Sequence, residues 1–126
     1  MTMLKCFYLT SSCQSYSSGS TAVCALLSKD SITTASVGDS RCVLARKLND
    51  GTFQAIDLTI DHKPDTKGEY DRIVKSGGFV STPSEEGFSA RVWSDCTCTE
   101  GVGLAMARSL GDHILRGFGV ISVSFS

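Results

Sequence analysis

Turn residues punctuate the first half of this chain so closely that it reads as consecutive short strands. The run Thr21 to Ser28 ends at Lys29-Asp30, and Ser31 to Val37 ends at Gly38. A third run, Arg41 to Lys47, stops at Asn49-Asp50-Gly51, and Phe53 to Leu58 returns from it. Asn-Asp-Gly between two β-compatible runs is a hairpin signal, because residues that tolerate positive φ match the twist of the flanking strands. Short strands joined by tight turns form antiparallel sheet.

Helical spacing appears once with full punctuation. Pro64 holds Lys63 extended. Thr66-Lys67-Gly68-Glu69 then has capping-box spacing, and Tyr70, Ile73 and Val74 fall on one helical face. Lys75 sits in the last turn and Gly77-Gly78 supplies the stop, which predicts a helix over Lys67 to Ser76. Phe79-Val80 and Ala90 to Trp93 read as extended, with a polar loop over Ser81 to Ser89. Leu104 to Leu110 fits a strand or a short helix, and periodicity leaves both open.

Composition excludes several function classes. With 126 residues the chain supports one core, and 41% apolar with 20% charged residues are soluble-domain values. A formal charge of -1 gives no broad basic field for nucleic acid or an anionic membrane. Cys24 and Cys42 lie in apolar runs and read as small buried hydrophobes. Cys96-Thr97-Cys98 is too closely spaced for a zinc knuckle and has no second pair; Cys6 and Cys13 complete the set. Reduced thiols in a cytoplasmic or nuclear compartment follow. The segment before Ser18 is interrupted by Lys5 and Thr10-Ser11-Ser12, so it makes neither a signal core nor a membrane span.

Four polar, glycine-bearing signatures carry the chemistry: Ser18-Gly19-Ser20-Thr21-Ala22, Gly38-Asp39-Ser40-Arg41, Asp61-His62-Lys63-Pro64 and Gly103 to Asp112. In the second, a glycine after a strand end places the Asp39 carboxylate at a sheet rim, where a hard cation such as Mg²⁺ or Mn²⁺ finds oxygen ligands. The same sequence also fits an Asx-turn with Asp39 paired to Arg41. The first signature has the small residues of a phosphate loop but lacks its lysine, and a strand follows it, so a structural role for Gly19 and Thr21 is preferred. Asp61 and His62 are adjacent in an extended segment and point apart, so Asp61 does not orient His62 as a base. In the fourth, Arg108 and Asp112 are spaced to pair if helical, with Gly111 between them. Arg91 is either a phosphoryl contact or an ordinary surface arginine.

In this order the signatures, with Ala90-Arg91-Val92-Trp93 and Ser109-Leu110-Gly111-Asp112, resemble the central part of the metal-dependent protein serine/threonine phosphatases (PPM or PP2C-type). The resemblance implies an α+β fold, a partial αββα sandwich of two antiparallel sheets flanked by helices. It divides the chain into a poorly matched segment 1–17, a partial phosphatase domain 18–121 and a divergent tail 122–126. It further implies Mg²⁺ or Mn²⁺ as cofactor, a phosphoprotein substrate, and Asp39 as ligand of an accessory metal. Gly19, Thr21, Gly38, Arg41, Asp61, Arg108, Gly111 and Asp112 become scaffold. The family's Asp-Gly-His-Gly segment, its N-terminal phosphate-binding arginine and its later Asp-Gly segment have no counterpart here, so no catalytic residue is assigned. The expectation is a truncated chain, inactive or weakly active alone. The alternative is a non-catalytic, pseudophosphatase-like interaction module.

Overall fold

A computed structural model describes residues 14–83, 87–98, 101 and 103–123. Cys6, Cys13, the Thr10-Ser11-Ser12 break and most of the segments 1–17 and 122–126 lie outside the described residues. A single helical turn, α1 (Gln14–Ser17), precedes β1 (Gly19–Ser20), β2 (Ala22–Leu27) and β3 (Ile32–Val37). Then come β4 (Val43–Lys47), β5 (Phe53–Asp57), helix α2 (Lys67–Lys75), β6 (Phe79–Ser81), β7 (Arg91–Trp93), β8 (Leu110–Gly111) and a 3₁₀ helix, His113–Phe118.

The turn signals act where the sequence puts them. β2 and β3 pair antiparallel from Ala22–Val37 to Leu27–Ile32, closed by Ser28 N–H donating to Ser31 O at 2.9 Å. β4 and β5 pair from Val43–Asp57 to Lys47–Phe53 around a turn in which Gly51 takes φ 85°. β6 pairs with β7, and β1 with the distant β8. The class is the expected α+β. Among the described residues the strands form four two-stranded antiparallel sheets, not two larger ones. Between β3, β4 and the segment after β5 the links are isolated bonds, such as Thr34 Oγ1 to Leu58 O, and do not extend a ladder.

The core lies on the C-terminal side. Ile73 of α2, Val80, Ala90, Val92, Ala107, Leu115 and Val120 are buried together, with Leu104, Ile114 and Phe118 against them. The β2–β3 hairpin stands largely outside it: every β2 residue is exposed. Cys24 is therefore exposed and Cys42 half-buried, which corrects their reading as buried hydrophobes; an apolar run without a second layer against it stays in water. The thiols of Cys24, Cys42, Cys96 and Cys98 are free.

Helix α2 begins and ends close to its expected limits, but by another mechanism. Thr66 is the N-cap and makes no side-chain capping bond. Glu69, the capping-box partner in the sequence, is instead buried beneath Arg108 and Arg72. Two guanidinium groups in a protected site stabilise a carboxylate more than one exposed N–H does. Of the apolar stripe only Ile73 is buried, while Tyr70 and Val74 remain exposed. The segment Leu104 to Leu110 is not helical: Leu104 bridges Val92, Arg108 bridges Ile121, and Leu110 enters β8.

Candidate functional site

The four signatures, far apart in sequence, meet at one end of the β3 and β4 strands. Gly38 follows β3 with φ 95°, a left-handed conformation that glycine tolerates and other residues resist. A Cβ there would also collide with the Thr21 methyl and come within 3.3 Å of Arg108 O. Thr21 Oγ1 and Ser40 Oγ are hydrogen-bonded at 2.7 Å. Gly19 lies against the Asp112 carboxylate, where any side chain would overlap it, and Asp112 N–H donates to Ser18 O at 2.9 Å. Gly111 (φ 90°) packs on the same Ser18-Gly19 backbone. Small residues are thus required because backbone from the first, second and fourth signatures converges within contact distance.

The second and third signatures are locked by reciprocal ion pairs. Lys63 Nζ donates to Asp39 Oδ2 at 2.6 Å. Arg41 forms a two-pronged pair with Asp61, Nε to Oδ1 and Nη2 to Oδ2, both 2.8 Å. Between them His62 N–H donates to Gly38 O at 3.0 Å, and the His62 ring nitrogen Nδ1 lies 3.2 Å from Gly38 N. Leu58 N–H to Cys42 O and Cys42 N–H to Thr59 Oγ1 carry the antiparallel approach back to β4. Hydrogen bonding to Arg41 holds the Asp61 carboxyl below the usual carboxylate range. Asp39 thus pairs with Lys63 and not with Arg41, and His62 serves the Gly38 backbone.

The fourth signature anchors the rim to the core. Ala107 N–H donates to His62 O at 2.7 Å. Arg108, 6% exposed, donates to Glu69 from Nε at 3.0 Å and from Nη2 at 2.6 Å. Arg72 reaches the same carboxylate at 2.8 Å and also the carbonyls of Ala107 and Gly119. Burial alone would raise the Glu69 pKa, but the hydrogen bonds from Arg108 and Arg72 outweigh it and hold it at about 2. Arg108 therefore does not pair with Asp112, because a non-helical backbone removes the expected spacing and Asp112 takes a left-handed turn (φ 47°). Arg91 donates to Gly103 O at 2.6 Å and is exposed. Beside the Glu69–Arg108 pair, Thr34, Ser36, Leu58, Asp61 and His62 line an open groove of about 550 Å³.

The protein phosphatase 2C family profile matches residues 4–123, nearly the entire chain. The chain belongs to the protein phosphatase 2C family. Among PP2C relatives it is similar to probable protein phosphatase 2C 12 of Oryza sativa subsp. japonica, 47% identical over 104 residues. It is likewise similar to probable protein phosphatase 2C 18 of Arabidopsis thaliana, 42% identical over 108 residues. These alignments cover 82% and 86% of this chain but only 26% and 21% of the relatives, so the chain spans about a quarter of their length. Its fold is similar to that of a serine-threonine phosphatase 2C from Toxoplasma gondii, with a TM-score of 0.71 and 26% identity over 83% of this chain and 35% of that one.

PP2C phosphatases are metal-dependent, which requires several clustered ligands. Among the described residues no three His, Cys, Asp or Glu side chains gather as a metal site. The rim carboxylates Asp39 and Asp61 are each taken by a cation of the chain itself. These residues therefore do not, by themselves, fit a resident divalent ion. Sequence reasoning missed Lys63 and Glu69 as members of this constellation. For Lys63 a signal existed: Asp39-x-Arg41 and Asp61-x-Lys63 share one charge order, so an antiparallel approach lets each acid meet the other segment's base.

Proposed function

We propose that this chain is the central, scaffold-bearing part of a PP2C-type phosphatase that hydrolyses phosphoserine and phosphothreonine in proteins. The family match over residues 4–123 carries this reading. On this reading the family's cation is Mg²⁺ or Mn²⁺, Asp39 is assigned by resemblance to an accessory metal only, and the compartment is the cytoplasm or nucleus. Among the described residues no helix is long and apolar enough to cross a membrane. Gly19, Thr21, Gly38, Arg41, Asp61, Arg108, Gly111 and Asp112 act as scaffold that holds the rim in shape. The 126-residue chain alone is inactive or weakly active, a reading supported by the self-paired carboxylates at the rim.

A chimera tests both parts. Residues 18–121 replace the matching segment of the rice relative, and hydrolysis of a phosphothreonine peptide is followed with Mn²⁺ or Mg²⁺. The expected result is metal-dependent turnover by the chimera and little or none by the chain alone. A folded but inactive chimera overturns the phosphatase reading. Robust turnover by the chain alone, abolished in Asp39→Ala, overturns the second part.

The Lys63–Asp39 pair also favours a second reading, a non-catalytic module that binds a phosphoprotein or a kinase. Phosphopeptide binding without metal and without hydrolysis would support it.

A further inference from the structure

We propose that Cys96 and Cys98 form a redox modification site, a dithiol that glutathione disulfide closes into an intraloop bond. It does not depend on phosphatase chemistry. Both thiols are free, with Cys96 exposed and Cys98 half-buried, so a small disulfide reaches them from solvent. A disulfide joins Cα atoms about 4.4–6.8 Å apart, a separation that residues i and i+2 meet where the backbone turns. It turns here. Asp95 accepts from Thr97 N–H at 2.8 Å and from the Thr97 hydroxyl, which folds residues 95–97 back. Cys98 then takes a left-handed backbone (φ 55°), a conformation that residues other than glycine resist. Its thiol is thereby brought 3.8 Å from Cys96 O.

The base of this loop is fixed. Val92, fully buried, exchanges backbone hydrogen bonds of 2.8 and 3.0 Å with Leu104, and the Trp93 indole N–H donates to Ser81 Oγ at 3.0 Å. Closure therefore tightens a loop already held to the core. Desolvation and the neighbouring Asp95 carboxylate push the Cys98 thiol above the usual thiol range, so the exposed Cys96 attacks first. The Cys96 thiolate bonds to one sulfur of glutathione disulfide and breaks its S–S bond; the glutathione thiolate released takes up the proton Cys96 lost. The Cys98 thiolate then attacks Cys96 Sγ, forming the Cys96–Cys98 bond and expelling the second glutathione, which takes up the Cys98 proton. Two electrons pass from the cysteine pair to glutathione disulfide, and an excess of glutathione runs both steps backwards.

Trypsin cuts after Arg91 and Arg108, so the peptide 92–108 carries Cys96 and Cys98 and no other cysteine. The 126-residue chain is equilibrated in buffers of glutathione disulfide and glutathione, quenched with N-ethylmaleimide, digested and weighed by mass spectrometry. As the disulfide share rises, peptide 92–108 should become two hydrogens lighter and take no maleimide. Cys98→Ser should stop at a glutathione adduct on Cys96. Half-closure of the folded chain should need a roughly tenfold lower ratio of disulfide to thiol than the chain in urea, because the turn holds the sulfurs together beforehand. A wild-type peptide that keeps two maleimides, or adducts that never resolve to the closed form, overturns the proposal. Equal closure with and without urea overturns it as well, since the Asp95 turn would then contribute nothing.

Discussion

At the scale of single residues, Glu69 is the position where burial and charge are most tightly coupled. Its carboxyl is held at about 2 against an ordinary 4.5, so the folded state binds its proton later than the unfolded state. The stability this confers is complete above pH 4.5 and is lost as pH falls towards about 2. The shift corresponds to on the order of 3 kcal/mol. Glu69→Gln takes the carboxylate away from buried Arg108, which keeps its bond to Val123 O, and should cost about 3–5 kcal/mol at neutral pH. Urea unfolding at neutral pH, repeated in steps towards pH 2, should show wild type and variant converging; parallel curves would refute the coupling. Glycines give a second residue-scale contrast. Gly51 and Gly38 both have positive φ, but open space surrounds Gly51 while Gly38 meets Thr21. Gly51→Ala should cost about 1 kcal/mol from backbone strain alone. Gly38→Ala adds a clash and should cost about 3 kcal/mol or more, read from the same unfolding midpoints.

Elements are held by fewer contacts than their sequence patterns suggest. Helix α2 is fastened by Ile73, which is fully buried, and by the Glu69–Arg72–Arg108 network. Ile73→Ala should cost about 2–5 kcal/mol, whereas Val74→Ala on the exposed side should cost less than about 1 kcal/mol. Thr66 occupies the N-cap without a side-chain bond, so Thr66→Ala should fall well short of the usual loss of about 1 kcal/mol. Thermal melting of the three variants checks this order, and a Thr66 effect equal to that of Ile73 would contradict it. The exposed Arg41–Asp61 pair contributes to register more than to stability, since a 63% exposed guanidinium is screened by water.

Across the whole molecule, stability is distributed unevenly. The buried apolar cluster joins α2, β6, β7 and the 3₁₀ helix. By contrast Leu26, Leu27, Val43 and Phe53 of the two preceding hairpins are more than half exposed. Amides of β2 and β3 should therefore exchange with solvent well before those of α2 and β7, measured by hydrogen exchange with mass spectrometry. Equal protection of both halves would mean that the hairpins share the core's cooperativity. Between the halves lies the rim at which the four signatures meet, tied to the core through Ala107 and His62.

The hairpins, the single amphipathic helix, the α+β class and the family are legible in the residues alone. Those features depend on local rules: glycine and asparagine at turns, 3.6-residue spacing, and motifs in fixed order. Local rules leave undecided whether Leu104 to Leu110 is strand or helix, because that segment is shaped by bridges to Val92 and Ile121. They also direct Glu69 to a helix cap, and the pairings they leave open, Arg108 with Asp112 and Asp39 with Arg41, do not form. Folding selected the partners that do form. A charged side chain goes to the opposite charge that folding brings closest in the most protected place, and a chain's spacing does not encode that distance. Lys63 at Asp39 and Glu69 beneath Arg108 are both contacts of that kind.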